Sequence, residues 1–168
     1  MTAVDLVLSA AFIAFAALSI TLAVIDIRTH RLPNAIVLPA YPVTLVVLTV
    51  CCLLGEDWGR LARGLIGALA LFVFYLALRL MSPRGMGGGD VKLAGLLGLL
   101  LAWVGWTALA VGTLAGFVLG GLYGIGLLAA RRADRRTAIP FGPWMLAGAW
   151  IGIAVAVWSG DPLLSSVR

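Results

Sequence analysis

Residues 3–25 read AVDLVLSAAFIAFAALSITLAVI and end against Asp26, with Asp5 the single charge inside the run. A helix needs roughly 20 mostly apolar residues to cross a bilayer, and this stretch meets that length. Five more apolar segments follow, over residues 35–54, 61–81, 91–106, 108–130 and 139–158. The breaks between them are Pro33 after the first, Gly55–Gly59 after the second, Gly85–Gly89 before the fourth and Arg131–Arg136 after the fifth. The fourth segment is short, and its boundary with the fifth falls at Gly105 and Trp106. The expected fold is an all-α membrane protein of six transmembrane helices, with a Gly-rich irregular loop at the cytoplasmic face. One membrane-embedded domain is expected over residues 1–168.

Composition supports the same class. Hydrophobic residues make up 62% of the chain and charged residues 11%, whereas soluble domains are about half apolar and a quarter charged. The formal charge of +5 does not imply nucleic-acid binding, because most Arg and Lys residues sit in short loops where they bias orientation in a bilayer. Arg28 and Arg31 follow the first segment, Arg79, Arg84 and Lys92 follow the third, and four arginines follow the fifth. The opposite side offers mainly Asp5, Glu56, Asp57, Arg60, Arg63, Asp161 and Arg168. Positive charge favours the cytoplasmic side, so both termini are expected outside a plasma (cytoplasmic) membrane and the three basic loops inside. The N-terminus lacks a basic n-region, and its first apolar run is read as a retained span.

Cys51 and Cys52 are adjacent within an apolar run and have no CxxC or Cys/His spacing, which points to small apolar fillers rather than a zinc site or disulfides. Gly116, Gly120 and Gly124 form small-xxx-small spacings that let helices approach closely. Whether the chain forms a homo-oligomer stays open.

The chain has seven acidic residues. Asp5, Glu56, Asp57 and Asp161 fall on the outer side, and Asp134 lies amid arginines. Asp26 and Asp90 are left at the cytoplasmic ends of two apolar segments, at similar depth. Ionisable groups at a membrane boundary are functional candidates when they face protein or a water-filled cavity. The alternative is two ordinary interfacial charges paired with Arg28 or Lys92. Gly85, Gly87, Gly88 and Gly89 directly precede Asp90. Such a run makes a poor helix but permits close backbone approach. An exposed strand edge that holds an extended peptide is expected there, with a flexible linker as the alternative. Two carboxylates within a few ångströms share one proton. The ionised member can then activate water while the protonated member hydrogen-bonds a scissile carbonyl.

Three motifs resemble the type IV prepilin peptidase family of GxGD membrane aspartic proteases. They are Asp26-Ile27-Arg28-Thr29-His30-Arg31-Leu32-Pro33-Asn34, Gly85-Met86-Gly87-Gly88-Gly89-Asp90-Val91-Lys92-Leu93 and Ala138-Ile139-Pro140-Phe141-Gly142-Pro143. The second is highly specific, and with the six spans the three cover nearly the whole chain in the right order. The resemblance implies that Asp26 and Asp90 are the catalytic pair, with no cofactor. It also implies prepilin or pseudopilin substrates, cleaved after a Gly that ends a short basic leader and precedes an apolar helix. Asn34 stands where many members have Asp, as in shorter members. Nothing precedes the first helix in this chain and no CxxC occurs. The resemblance is therefore to the short, peptidase-only form of Tad/Flp-like pili, without an N-terminal methyltransferase region.

Secondary candidates are weighed singly. Lys92 either acts on the charge of the pair, contacts substrate backbone, or snorkels to headgroups; Arg28 is similar. His30 is a lone histidine without a second metal ligand nearby, so no metal role is expected. Pro33 and Asn34 follow the first motif. Pro140, Phe141, Gly142 and Pro143 shape a helix entry and, by the resemblance, line the cleft. The arginine cluster serves as a topology signal and a contact for anionic lipid. Two other functions compete. One is an archaeal preflagellin-type or other GxGD intramembrane protease. The other, from a different class, is a small proton- or cation-coupled transporter, although such proteins place their charges near the midplane.

Overall fold

A computed structural model describes residues 3–55, 57–82, 86–130 and 140–159. Gly85, Glu56, Arg84, the cluster Arg131–Arg136, Ala138, Ile139, Asp161 and Arg168 lie outside the described residues. The described residues form six α-helices and no strand: α1 (Ala3–Thr29), α2 (Asn34–Gly55), α3 (Trp58–Met81), α4 (Gly88–Val104), α5 (Trp106–Ala129) and α6 (Gly142–Trp158). Successive helices run back and forth. The C-terminal ends of α1, α3 and α5 therefore share one end of the bundle with the N-terminal ends of α2, α4 and α6.

Four helices, α1, α2, α3 and α5, are long and apolar enough to cross a membrane. The other two have 17 residues each and are about 25 Å long at 1.5 Å per residue. Helix α4 occupies the centre: every residue from Leu93 to Val104 is buried, and α2, α3, α5 and α6 all pack against it. A helix that is apolar all round is stable only when enclosed this way or in lipid. The outer helices instead expose large apolar side chains such as Ile13 (71%), Leu69 (66%) and Leu114 (65%), a surface suited to hydrocarbon. The chain is an all-α, multi-pass membrane protein.

Two helix pairs supply the closest packing, α3 with α4 and α5 with α6. A Cβ on Gly98 would meet the backbone of Gly67, and one on Gly148 would meet the backbone of Gly112 and Gly116. Neither position has room for any side chain, because helix backbones touch there. The buried stripe of α5 is Ala108, Gly112, Gly116 and Gly120; Gly124 of the anticipated pairings is only half-buried.

The helix boundaries differ from the hydropathy pattern where polar residues continue a helix. Helix α1 runs past Asp26 to Thr29 and closes at His30, whose N–H donates to the Asp26 carbonyl at 2.8 Å. His30 has φ 51°, a left-handed conformation that ends helices. Helix α3 starts at Trp58, capped by Asp57, whose side chain accepts the Arg60 N–H. The arginines of that turn are among the charges placed on the side opposite the basic loops. Arg60 is in fact buried and paired with Asp57 at 2.8 Å, while Arg63 donates to the carbonyls of Ala102 and Trp103. Arg63 thereby satisfies carbonyls at the C-terminal end of α4, where unpaired carbonyls attract cations.

Candidate active site

Among the described residues, Asp26 and Asp90 are the two buried acids, 4% and 8% exposed. Asp26 reaches the site from the last turn of α1, and Asp90 from the first turn of α4. A buried carboxylate needs hydrogen bonds to replace lost water, and each finds a backbone donor. The Asp26 Oδ2 accepts the N–H of Gly142 at 3.0 Å, and the Asp90 Oδ2 accepts the N–H of Gly87 at 3.0 Å. Both donors lie at helix N-termini, those of α6 and α4, where the helix dipole presents positive potential to an anion.

Leu32, 8% exposed in the α1–α2 connection, lies between the two segments. A Cβ on Gly89 would stand 2.7 Å from the Leu32 Cβ, and one on Gly142 would stand 3.4 Å from its Cδ1. Leu32 therefore touches the chain beside Asp90 and the chain beside Asp26. The two carboxylates are within electrostatic range of one another. On the Asp26 side, a Cβ on Gly142 would lie only 2.7 Å from the Asp26 Oδ2, so glycine there permits the hydrogen bond.

The glycine run takes a different form from that expected. Gly88 and Gly89 make the first turn of α4 and Gly87 its N-cap, so the described part carries no strand edge. The carboxylate of Asp90, at the third helical position, takes the N-cap N–H in the manner of half a capping box. That cap offsets the poor helix propensity of glycine. Gly85 lies outside the described residues.

The remaining expected residues divide into two groups. Pro140, Phe141, Gly142 and Pro143 form the entry to α6: Phe141 caps it through its carbonyl to Trp144 and Met145, each at 3.1 Å, with Gly142 on Asp26. Pro33 opens α2, its carbonyl accepting from Ile36 and Val37. Lys92 and Asn34 pair with each other: the Lys92 Nζ donates to the Asn34 Oδ1 at 2.9 Å, joining α4 to α2. Arg28 is exposed in the last turn of α1.

Four further residues belong to this end of the bundle. Leu32 is the wedge already described. Arg79, at the end of α3, lies beside Gly88 and within electrostatic range of Asp90; its position after the third apolar run was its only sequence signal. Tyr75 is fully buried near Asp90 and stacked on Phe117, with ring centroids 5.4 Å apart. Phe141 joins this cluster against Phe117. Tyr41, between Pro39 and Pro42 of α2, donates its hydroxyl to the Lys92 carbonyl at 2.6 Å. Nothing in the local pattern distinguishes it from a packing aromatic.

Two carboxylates brought within a few ångströms of each other can share a proton, activate water and polarise a carbonyl. Among the described residues, no cluster of three or more His, Cys, Asp or Glu side chains has metal-site geometry.

Residues 13–125 match the model of the type IV leader peptidase family. A Pseudomonas putida protein named prepilin leader peptidase/N-methyltransferase is 37% identical over 150 residues, which is 88% of this chain and 49% of that protein. A Bacillus subtilis protein of the same name is 31% identical over 153 residues, 91% of this chain and 57% of its own length. An Aeromonas hydrophila protein so named is 40% identical over 88 residues, 52% of this chain and 29% of its own. The chain spans about half the length of the first two. No solved structure matches it.

Proposed function

The chain belongs to the type IV leader peptidase family, and from that premise we propose that it removes the short basic leader from prepilin or pseudopilin substrates by aspartic catalysis. The observation that carries the mechanism is the burial of Asp26 and Asp90 at one end of the bundle around Leu32. One carboxylate, ionised, takes a proton from the water that attacks the carbonyl of the leader's terminal Gly. The other, protonated, hydrogen-bonds the carbonyl oxygen and stabilises the charge that develops on it. The resting pair holds one proton and one negative charge; it takes a proton from the water, gives its own to the carbonyl oxygen, and then returns a proton to the leaving amine as the C–N bond breaks, titrating throughout as a unit. No covalent intermediate and no metal is required.

The lining of the cleft is assigned to Gly87–Gly89, Gly142 and Leu32, with Pro140, Phe141 and Pro143 holding the α6 entry and Pro33 the α2 entry. Lys92 and Asn34 tie α2 to α4. Cleavage is assigned to the cytoplasmic face of the plasma membrane, because Arg28, Arg31, Arg79 and Lys92 crowd the aspartate end. Asp57, Arg60 and Arg63 at the other end are used within the fold, so they weigh less against that orientation. Both termini then lie outside. The proposal concerns the leader-peptidase activity in the relatives' name; the aspartate pair performs hydrolysis, and methyl transfer is not assigned to it.

Co-expression with a prepilin, read by mobility shift and by the mass of the new N-terminus, tests this. The expected product begins directly after the leader Gly, and a metal chelator leaves its formation unchanged. Failure to process any of several prepilins, or loss of processing with chelator, contradicts the proposal. An N-methylated product would assign the second activity as well.

A further inference from the structure

Deeper in the bundle, away from the aspartates, the contact between α1 and α2 leaves a gap. A partly open cavity of about 300 Å³ separates them. Ala11, Ala14 and Leu18 line it from α1, and Ala40, Thr44 and Val47 line it from α2. Each set recurs at three- and four-residue steps, so each is one face of its helix. Leu100 of the buried α4 also lines the space. Two helix faces therefore border a shared space with small residues at facing positions, the form of surface on which another helix packs closely. The Thr44 hydroxyl is the only polar side-chain group in the lining.

The slot lies along the same two helices that lead to the site. Leu18 lies two turns before Asp26 on α1, about 12 Å at 1.5 Å per residue, and Ile36, which also lines the cavity, lies in the first turn of α2, four residues after Leu32 in the chain. A chain held at the aspartates at one end of these helices, and continuing into the membrane, meets this opening next.

We propose that the slot seats the apolar segment of the substrate that follows the scissile bond. The proposal rests on the peptidase reading above and adds to it the path of the substrate through the membrane. Acyl chains fill any apolar gap without selecting for shape. Three alanines on facing stripes give a shape that favours a helix backbone over a lipid tail. With the slot running from about 12 Å to about 22 Å below Asp26, it covers roughly residues 8–15 past the cut if that segment is helical.

Photo-crosslinking in lipid nanodiscs tests the seat without requiring turnover. The full chain, with Asp26→Asn to retain substrate, carries a benzophenone side chain at Ala40, and is illuminated with a full-length prepilin. The expected adduct maps to residues 8–15 after the scissile bond, and the same probe at Ile13 on the lipid-facing side gives none. Adducts at Ala40 only to lipid, to a second copy of the chain or to the leader overturn the slot. Kinetics supply a second readout: Ala14→Phe is expected to lower kcat/KM for full-length prepilin by at least about tenfold more than for a soluble peptide ending shortly after the cut. Equal losses for the two substrates overturn the proposal. Cleavage without the adduct removes the slot and leaves the peptidase reading. The adduct without cleavage by wild type removes the peptidase reading and leaves a seat for an apolar segment.

Discussion

Gly142→Ala is the smallest change that strikes the site. The added methyl would stand 2.7 Å from the Asp26 Oδ2 and 3.4 Å from the Leu32 Cδ1. Carbon–oxygen contacts are comfortable at about 3.3 Å or more, so carboxylate and helix must part by about half an ångström. The helix has little freedom to yield, because Trp144 and Met145 fix the first turn of α6 on the Phe141 carbonyl. Asp26, 4% exposed, is the group that turns, and it loses the 3.0 Å bond from Gly142. A hydrogen bond to a charged group contributes roughly 1.5–3 kcal/mol, and overpacking a tight site costs about 1–3 kcal/mol. Misplacing a catalytic group by ~1 Å lowers rate by about 10², so kcat should fall between tenfold and a hundredfold, with a smaller change in KM. The assay is cleavage of purified prepilin in detergent or nanodiscs, with thermal unfolding followed in parallel. Gly121→Ala is the control, since a Cβ there meets nothing within 4 Å. Wild-type kcat in a folded Gly142→Ala protein would refute the reasoning that this contact positions Asp26.

Gly148→Val should abolish accumulation of folded protein, since its side chain would enter the backbone of α5, whereas Gly121→Val should be tolerated; detergent-soluble yield and size-exclusion profile decide. Tyr41→Phe removes the hydroxyl on the Lys92 carbonyl and should cost about 1 kcal/mol, read as a Tm lowered by a few degrees. Asn34→Asp should retain cleavage, because the Lys92 ammonium that meets the Asn34 oxygen at 2.9 Å pairs equally with a carboxylate. A double-mutant cycle of Lys92→Met with Asn34→Ala should give a coupling of no more than about 1 kcal/mol, since the pair is exposed and screened.

How much of this was legible follows from which physical constraint acted where. The six helices were legible because a membrane demands long apolar runs, and each run overlaps one helix. Their ends were less so. Helix α1 passes through Asp26 and Arg28 because a charged side chain does not stop a helix whose backbone bonds are still satisfied; the stop is His30 in its left-handed conformation. Asp57 three residues before Arg60 was a cap signal that the apolar pattern overrode. The glycine run suggested a strand edge from propensity alone, and the cap supplied by Asp90 reverses that preference. Asp26 and Asp90 stood out as acids at the ends of apolar segments. Leu32, Tyr41 and Tyr75 did not, because an apolar or aromatic side chain in an apolar chain carries no signal until the tertiary contact is known. Arg79 registered as a topology charge, and its place beside Gly88 is a matter of helix packing.

The claim that Asp26 and Asp90 act as one unit is tested most directly by comparing Asp26→Asn, Asp90→Asn and the double substitution at equal membrane abundance. Groups that act together in one step show losses that do not add. The account predicts that each single change removes leader cleavage by about 10³-fold or more and that the double change is no worse than either. Substantial cleavage by either single variant, or losses that multiply in the double, would contradict it.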